Sequence, residues 1–342
     1  MVQNSLIIKK IIFIKLLLSY QLLLSCDFCS LLDYGNLNNQ TSFRLDYKFR
    51  LFKGYNQTIN PYTGSKIVAR NGVLHKTLPG SEKAYINSTK DYEAYRLVNL
   101  GFVYNHKKNT NYMINLPYLS NTDFYGYVIP SIGAAVSEKK QYTGFGDLNI
   151  GIQKIASKEY KQWKHTIKLG FLLFLPTGKY NEEELFSGNI HMLPGRSIYA
   201  TELSANYTFE NSGNWGLNWV SSYYIPFKKN EVRNSNDYQF AKRIGLDFIG
   251  FKIFEGKLKK IITLGAKYEY QDYEKINNYR IDDSGFQVML ANVGLAFKYK
   301  QNLCMMSLDV PLLQKLNGLQ VYTKQAYSIS LIHYLKKLKT EK

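Results

Sequence analysis

Residues 42–51 read Ser-Phe-Arg-Leu-Asp-Tyr-Lys-Phe-Arg-Leu, and this stretch decides the fold. Apolar and polar side chains alternate strictly along it, which is the period of a β-strand. The polar face carries charges of both signs, so it does not suit the core of a soluble sheet. A strand with lipid on one side and an aqueous lumen on the other accounts for both faces.

The same alternation recurs along the chain. In residues 261–271, Ile262 and Leu264 alternate with Thr263 and Gly265, and residues 287–299 repeat the pattern. We expect about twelve strands, each long enough to cross a bilayer at a tilt. They are predicted at 41–53, 92–105, 111–120, 145–156, 163–175, 198–209, 214–226, 238–252, 258–271, 286–299, 303–311 and 321–335.

The connections between these segments alternate in length. Long ones are predicted at 54–91, 121–144, 176–197, 227–237 and 272–285, with a modest one at 312–320. Short ones are predicted at 106–110, 157–162, 210–213, 253–257 and 300–302. Outer-membrane barrels have long extracellular loops and short periplasmic turns. The sequence therefore predicts an all-β protein, a closed antiparallel transmembrane β-barrel with both chain ends in the periplasm. Closure follows because unpaired backbone amides are costly in lipid.

The start of the chain is typical of an exported protein. Residues 1–25 combine lysines with a short, interrupted apolar run, which predicts a signal peptide. Residues 26–40 then form a periplasmic segment, and residues 41–342 form the barrel in the bacterial outer membrane. Three interpretations of Cys26 and Cys29 stay open: lipidation of Cys26, a redox or metal pair, or no role. A lone Cys-x-x-Cys is a poor metal signal, so no metal or cofactor is predicted.

Composition agrees with a membrane barrel. The chain has 29 Tyr, 19 Phe and 3 Trp, and such aromatic residues suit the girdles at the two membrane interfaces. The formal net charge is +18, but the basic residues are dispersed, which argues against nucleic acid. The expected partners are outer-membrane lipid, a small-molecule solute and, during biogenesis, the barrel-assembly machinery. About twelve strands predict a narrow lumen, which a loop or a terminus of the chain can obstruct. Such a lumen would admit small solutes at most.

The charged residues at lumen-facing strand positions are the candidate site. Asp147, which shares the parity of Asn149, is predicted to be the one that touches a solute. The candidates are Arg44, Asp46, Lys48, Arg50, Asp147, Lys168, Glu202, Arg243, Asp247, Lys267 and Glu269. Two interpretations stay open, a network that balances charge inside the barrel and a selectivity ring.

Three short motifs carry a resemblance to a known family. They are Asn115-Leu116-Pro117-Tyr118, Gly144-Phe145-Gly146-Asp147-Leu148-Asn149-Ile150 and Leu175-Pro176-Thr177-Gly178-Lys179-Tyr180. With them the chain resembles the "MetA-pathway of phenol degradation" family of outer-membrane proteins, related in architecture to fatty-acid transporters. The resemblance implies a barrel that moves hydrophobic or aromatic small molecules. The residues themselves are also typical of loop-strand junctions, because Gly and Pro relieve crowding and end strands.

Two other functions are considered. A structural or adhesive barrel would use its long loops, above all 54–91, to bind an external partner. A lipid hydrolase of the outer rim would need a histidine and a serine, but none of His75, His106, His165, His191 and His333 is followed two residues later by serine. Cys304 shares the apolar parity of its strand and is expected to face lipid. We therefore expect a channel or transporter and no enzyme.

Overall fold

The computed structural model describes residues 40–55, 84–85, 92–106, 109–129, 134–179, 190–227, 230–232, 236–281, 284–317 and 320–335. The sequence-based assignments to residues 1–39, including Cys26 and Cys29, and most of loop 54–91 lie outside these ranges. Within them, no helix is long and apolar enough to cross a membrane.

The described chain is a set of antiparallel strands that close into a cylinder. The strands of the wall are β1 (Ser42–Tyr55), β3 (Tyr92–His106), β4 (Thr110–Ile129), β5 (Ala134–Phe145), β6 (Asn149–Tyr160), β7 (Trp163–Phe174), β8 (Ala200–Asn211), β9 (Trp215–Pro226), β12 (Arg243–Phe254), β13 (Lys259–Gln271), β16 (Phe286–Tyr299), β17 (Asn302–Leu316) and β18 (Val321–Tyr334). The first and last strands, β1 and β18, pair with each other and complete the cylinder.

Two of these strands act as one strand of the wall. Both β5 and β6 pair with β4, with Phe145 opposite Tyr118 and Asn149 opposite Asn115. Three residues, 146–148, interrupt them where β4 has two, which is the arrangement of a β-bulge. The wall thus has twelve strands, and the prediction of a closed antiparallel barrel of about twelve strands is confirmed.

The burial pattern is that of a membrane barrel, with apolar side chains outside. Along β1, Arg44 and Asp46 are 6% and 4% exposed, whereas Phe43 and Leu45 are 53% and 40% exposed. The parity is as the sequence predicts. Lipid around the cylinder would cover the apolar outer face, and the lumen holds the polar one.

The long-connection end differs from the prediction in detail. The connection predicted at 121–144 is a continuation of β4 and β5 into a hairpin, and β2 (Ala84–Tyr85) adds to its edge. The connections predicted at 227–237 and 272–285 supply a small four-stranded sheet. Its strands are β10 (Asn230–Val232), β11 (Asn236–Gln239), β14 (Lys275–Ile276) and β15 (Tyr279–Arg280).

The last two strands separate in their half nearer the long connections. Their backbone pairing runs from Asn302–His333 to Asp309–Ala326 and goes no further among the described residues of the two strands. Pro311, which has no N–H to give to a ladder, follows at once. Beyond it the Gln314 side chain replaces the ladder, since its Oε1 accepts from Thr323 N and its Nε2 donates to Thr323 O, each at 2.8 Å. We call the facing stretches beyond the end of this ladder, residues 310–316 and 321–325, the seam.

Candidate functional site

The lumen contains a cavity of about 320 Å³. Its lining combines charged side chains with aromatic and aliphatic ones from both sides of the cylinder. Phe52, Tyr95, Phe174 and Tyr224 contribute rings, while Leu290 and Leu316 contribute aliphatic surface. The lining is therefore amphipathic.

Seven of the eleven predicted site residues line this cavity. They are Lys48, Arg50, Asp147, Arg243, Asp247, Lys267 and Glu269. The other four, Arg44, Asp46, Lys168 and Glu202, are buried in the lumen wall without lining it. Whether any of the eleven contacts a solute stays a prediction.

Ion pairs across the lumen hold several of these charges. Arg50 bonds to Glu269 at 2.7 Å and to the Thr323 hydroxyl at 2.9 Å. The Lys267 ammonium lies 3.0 Å from Asp309, which also accepts a hydrogen bond from Asn292. Both signs are thus paired within the wall, as expected for a charge-balancing network.

Residues 190–199, which we call the plug segment, fold inward from the long connection between β7 and β8. The segment opens with a single 3-10 turn, Ile190–Met192. Met192, Leu193 and Ile198 are buried in a cluster with Tyr142 and Phe240. Its His191, Leu193 and Arg196 side chains line the cavity. The plug segment therefore covers the cavity at the long-connection end.

Asp147 anchors the plug segment. One of its carboxylate oxygens accepts a hydrogen bond from Gly178 N and the other from Arg196 N, each at 3.0 Å. Gly178 and Gly195 lie so close that a Cβ on Gly178 would be 2.6 Å from Gly195 Cα. The motifs at 144–150 and 175–180 thus form a contact between loops.

This finding gives Asp147 a structural role, and its predicted contact with a solute stays a prediction. Although its carboxylate lies at the cavity, both oxygens are bonded to backbone amides, because residues 146–148 leave the strand and turn the side chain toward the loop. The strand predicted at 145–156 assumed that parity continues through these residues, and the bulge breaks it.

A buried polar cluster joins the plug segment to the small sheet above it. His191 Nε2 lies 3.0 Å from Glu274 Oε2, and the Tyr238 hydroxyl donates to the same carboxylate. Burial raises the pKa of Glu274, but the charge and hydrogen bond of His191 and the hydrogen bond of Tyr238 outweigh it, so the net pKa lies below the ordinary value. Burial and the Glu274 charge raise the pKa of Tyr238 well above its usual range.

The short-turn end of the lumen holds a buried apolar cluster that belongs to the wall itself. Ile253, Ile261, Leu303, Met305 and Ile332 point inward and are 1–8% exposed. Tyr334 and Ala296 complete this group, which we call the apolar closure. On neighbouring strands elsewhere in the wall, the Asn111 side chain bonds to the side-chain amides of Asn105 and Gln153. The sequence pattern did not single out these apolar residues, because they occupy lumen parity.

The histidines of the described chain have other partners than serine. His165 Nδ1 lies 2.8 Å from the Tyr207 hydroxyl, and His333 Nδ1 lies 2.8 Å from Asn302 Oδ1. His106 stacks near Tyr112, and His75 lies outside the described residues. Cys304 is a free thiol at an outward strand position.

Sequence reasoning missed Gln314, Glu274 and the whole plug segment. A proline at 311 is the signal that could have pointed to the seam. Nothing comparable marks residues 190–199, whose contacts are all with distant parts of the chain.

Solved outer-membrane proteins have a similar fold. The COG4313 outer membrane channel from Pseudomonas putida F1 matches with a TM-score of 0.62 and 14% identity, over 89% of this chain and 98% of that chain. A FadL homologue from Pseudomonas aeruginosa matches with a TM-score of 0.39 and 10% identity, over 87% of this chain and 91% of that chain. The toluene transporter TodX of Pseudomonas putida matches with a TM-score of 0.38 and 10% identity, over 90% of this chain and 92% of that chain. No family model and no curated protein matches the sequence. The chain thus has the β-barrel fold of the COG4313 protein.

Proposed function

We propose that this protein is an outer-membrane channel that takes small hydrophobic or aromatic molecules from outside and releases them sideways through the seam. The observation that carries the proposal is an amphipathic cavity in the lumen that borders the point where the ladder between β17 and β18 ends. Thr323, Ala326 and Ser328, on either side of the point where pairing stops, all line the cavity.

The cavity suits a small ligand with an apolar body. Its volume of about 320 Å³ lies at the lower end of the range for small-molecule sites. The Arg50 guanidinium lies 4.9 Å from the centre of the Phe52 ring, and Arg196 lies 5.2 Å from that of Tyr224. Such ring and guanidinium faces are surfaces on which a flat aromatic molecule can stack.

The short-turn end argues against a hydrophilic pore. A hydrated solute that moved straight through would cross Ile253, Leu303 and Ile332, and apolar constrictions exclude water. An apolar molecule has an alternative route, since the seam opens toward the hydrocarbon beside Leu312 and Leu313, which are 55% and 68% exposed. Two side-chain hydrogen bonds of Gln314 cross the seam where the ladder has ended.

A reversible cross-link tests this route. In a background with Cys26, Cys29 and Cys304 changed to Ser, the pair Gln314→Cys and Thr323→Cys would join the seam when oxidised. The matched control is Met306→Cys with Ile329→Cys, two outward residues that lie opposite each other in the paired part of the same strands. The readout is entry of the hydrophobic dye N-phenyl-1-naphthylamine into intact cells that express each variant.

Expression of the wild-type chain should speed dye entry, oxidation of the seam pair should abolish that gain, and reductant should restore it. The control pair should conduct dye in both states. Dye entry that survives oxidation of the seam pair would exclude the lateral route. Faster entry of a hydrophilic β-lactam such as nitrocefin, without any gain for the dye, would exclude the hydrophobic cargo as well.

A further inference from the structure

Strand β6 carries two lysines on its lipid-facing side. Lys154 and Lys158 share the outward parity of Ile150, and both are exposed. Across the ladder, Lys154 is opposite Leu169 and Lys158 is opposite His165 on β7. Lysines at such positions form a basic column up the outside of the wall from the short-turn end.

A lysine that faces hydrocarbon is costly unless an anion accompanies it. Lys154 Nζ donates to the Thr110 hydroxyl at 2.9 Å, which satisfies one donor but leaves the charge unbalanced. Among the described residues, the outward-parity positions of β6 and of the facing parts of β4 and β7 carry no carboxylate, and Glu159, beside Lys158, has the opposite parity at the exposed end of β6. An anionic group from outside the chain would balance the charge of the column.

The column lies among side chains that mark a membrane interface. Trp163 stacks on Phe209 with ring centres 4.1 Å apart, and His165 bonds to Tyr207 beside Lys158. All three tryptophans of the chain, Trp163, Trp215 and Trp219, belong to this side of the barrel, on β7 and β9. Aromatic rings of this kind lie at the level of lipid head groups.

We propose that the β6 column binds the phosphate of an anionic glycerophospholipid in the leaflet at the short-turn end. Lys154 and Lys158 would contact the phosphate, with Lys161 at the hairpin tip close to the rest of the head group. The acyl chains would lie along Ile167 and Leu169, which are 47% and 57% exposed. Three lysines against the single carboxylate of Glu159 favour a head group with net negative charge over a zwitterionic one. This proposal does not depend on the cargo of the lumen.

Native mass spectrometry of the full, detergent-purified and delipidated chain tests the proposal. Phosphatidylglycerol, phosphatidylethanolamine and inorganic phosphate are each added to the wild type, to Lys154→Gln with Lys158→Gln, and to Lys257→Gln with Lys300→Gln. The last pair removes the same charge from exposed short turns elsewhere on the rim. A heat-dependent shift in gel mobility checks that each variant is folded.

The wild type and the rim control should retain phosphatidylglycerol, and the column variant should retain it at least tenfold less. Phosphatidylethanolamine should bind more weakly than phosphatidylglycerol to the wild type. Equal losses in both double variants, equal binding of the two lipids, or equal retention of inorganic phosphate and lipid would each overturn the proposal. Should the column variant not fold, Lys158→Gln alone replaces it. Unchanged retention of phosphatidylglycerol by that single variant would also overturn the proposal.

Discussion

The two ends of the lumen are closed in different ways. At the long-connection end, the plug segment closes the cavity with residues that are not part of the wall, and it is fixed by hydrogen bonds to Asp147 and by the contact of His191 with Glu274. At the short-turn end, Leu303 and Ile332 of the wall itself pack against each other. The contacts at the first end could be lost without breaking a strand pairing, whereas Leu303 and Ile332 are partners in the barrel ladder. Substitutions at the two ends should therefore have different effects, on the position of the plug segment at the first and on barrel stability at the second.

The largest effect is expected from Asp147→Ala. The substitution removes two hydrogen bonds to a carboxylate, each contributing roughly 1.5–3 kcal/mol. A loss of about 3 kcal/mol shifts the balance between inserted and displaced plug segment roughly 100-fold. Hydrogen exchange of the plug-segment amides, followed by mass spectrometry, should be markedly faster than in the wild type. Asp147→Asn, which keeps one acceptor, should lie in between, and wild-type exchange rates for both variants would show that the plug segment is held elsewhere.

At the other end, Leu303→Ala should affect stability more than conduction. Leu303 is 1% exposed within the apolar closure, and truncating such a side chain costs about 2–5 kcal/mol. Urea unfolding in lipid vesicles, followed by tryptophan fluorescence, measures the change. Leu308→Ala on the same strand is the control, because Leu308 is 45% exposed and faces lipid. Equal losses for the two would mean that the closure is not tightly packed.

The polar cluster above the plug segment should make that end sensitive to acid. The folded-state pKa of Glu274 lies below its ordinary value of 4.5. The contribution of the Glu274 carboxylate to holding the plug segment is therefore complete above about pH 4.5, and it is lost as the pH falls through the lower folded-state pKa. His191→Gln removes the charge that lowers this pKa, while Arg243 still lowers it. Release of the plug segment, followed from about pH 7 to about pH 3 by the fluorescence of a label on Ser197→Cys, should then occur at a higher pH than in the wild type. His165→Gln, on the outer wall, should leave the profile unchanged, and an unshifted profile for His191→Gln would contradict the role of Glu274.

The smallest effect is expected from Lys259→Gln. Lys259 pairs with Glu255 at 2.7 Å beside the apolar closure, but both side chains are nearly half exposed. Exposed pairs of this spacing contribute about 0.3–0.5 kcal/mol. Unfolding in vesicles should therefore give a free energy within error of the wild type. A loss comparable with that of Leu303→Ala would mean that the turn is part of the closure.

The sequence predicted the wall better than what fills it. Alternation of period two in stretches such as 42–51 determines both the strands and their inward faces, because a strand has only two faces. The plug segment has no such period, since its position depends on contacts of Met192 and Arg196 with remote strands. Strand parity does not predict the contacts of Asp147 with Gly178 and Arg196, because the bulge at residues 146–148 interrupts the alternation. The seam also escaped prediction, since β17 continues past Pro311 while paired on one side only.

The pairing of β1 with β18 brings together the two strands that are farthest apart in the chain. Translation must therefore finish before the cylinder can close, and the growing molecule carries two unsatisfied strand edges until then. Trp163, Trp215 and Trp219 lie on β7 and β9, near the middle of the sequence and away from that joint. Their fluorescence would therefore report the entry of the central strands into a bilayer separately from the later pairing of β1 with β18.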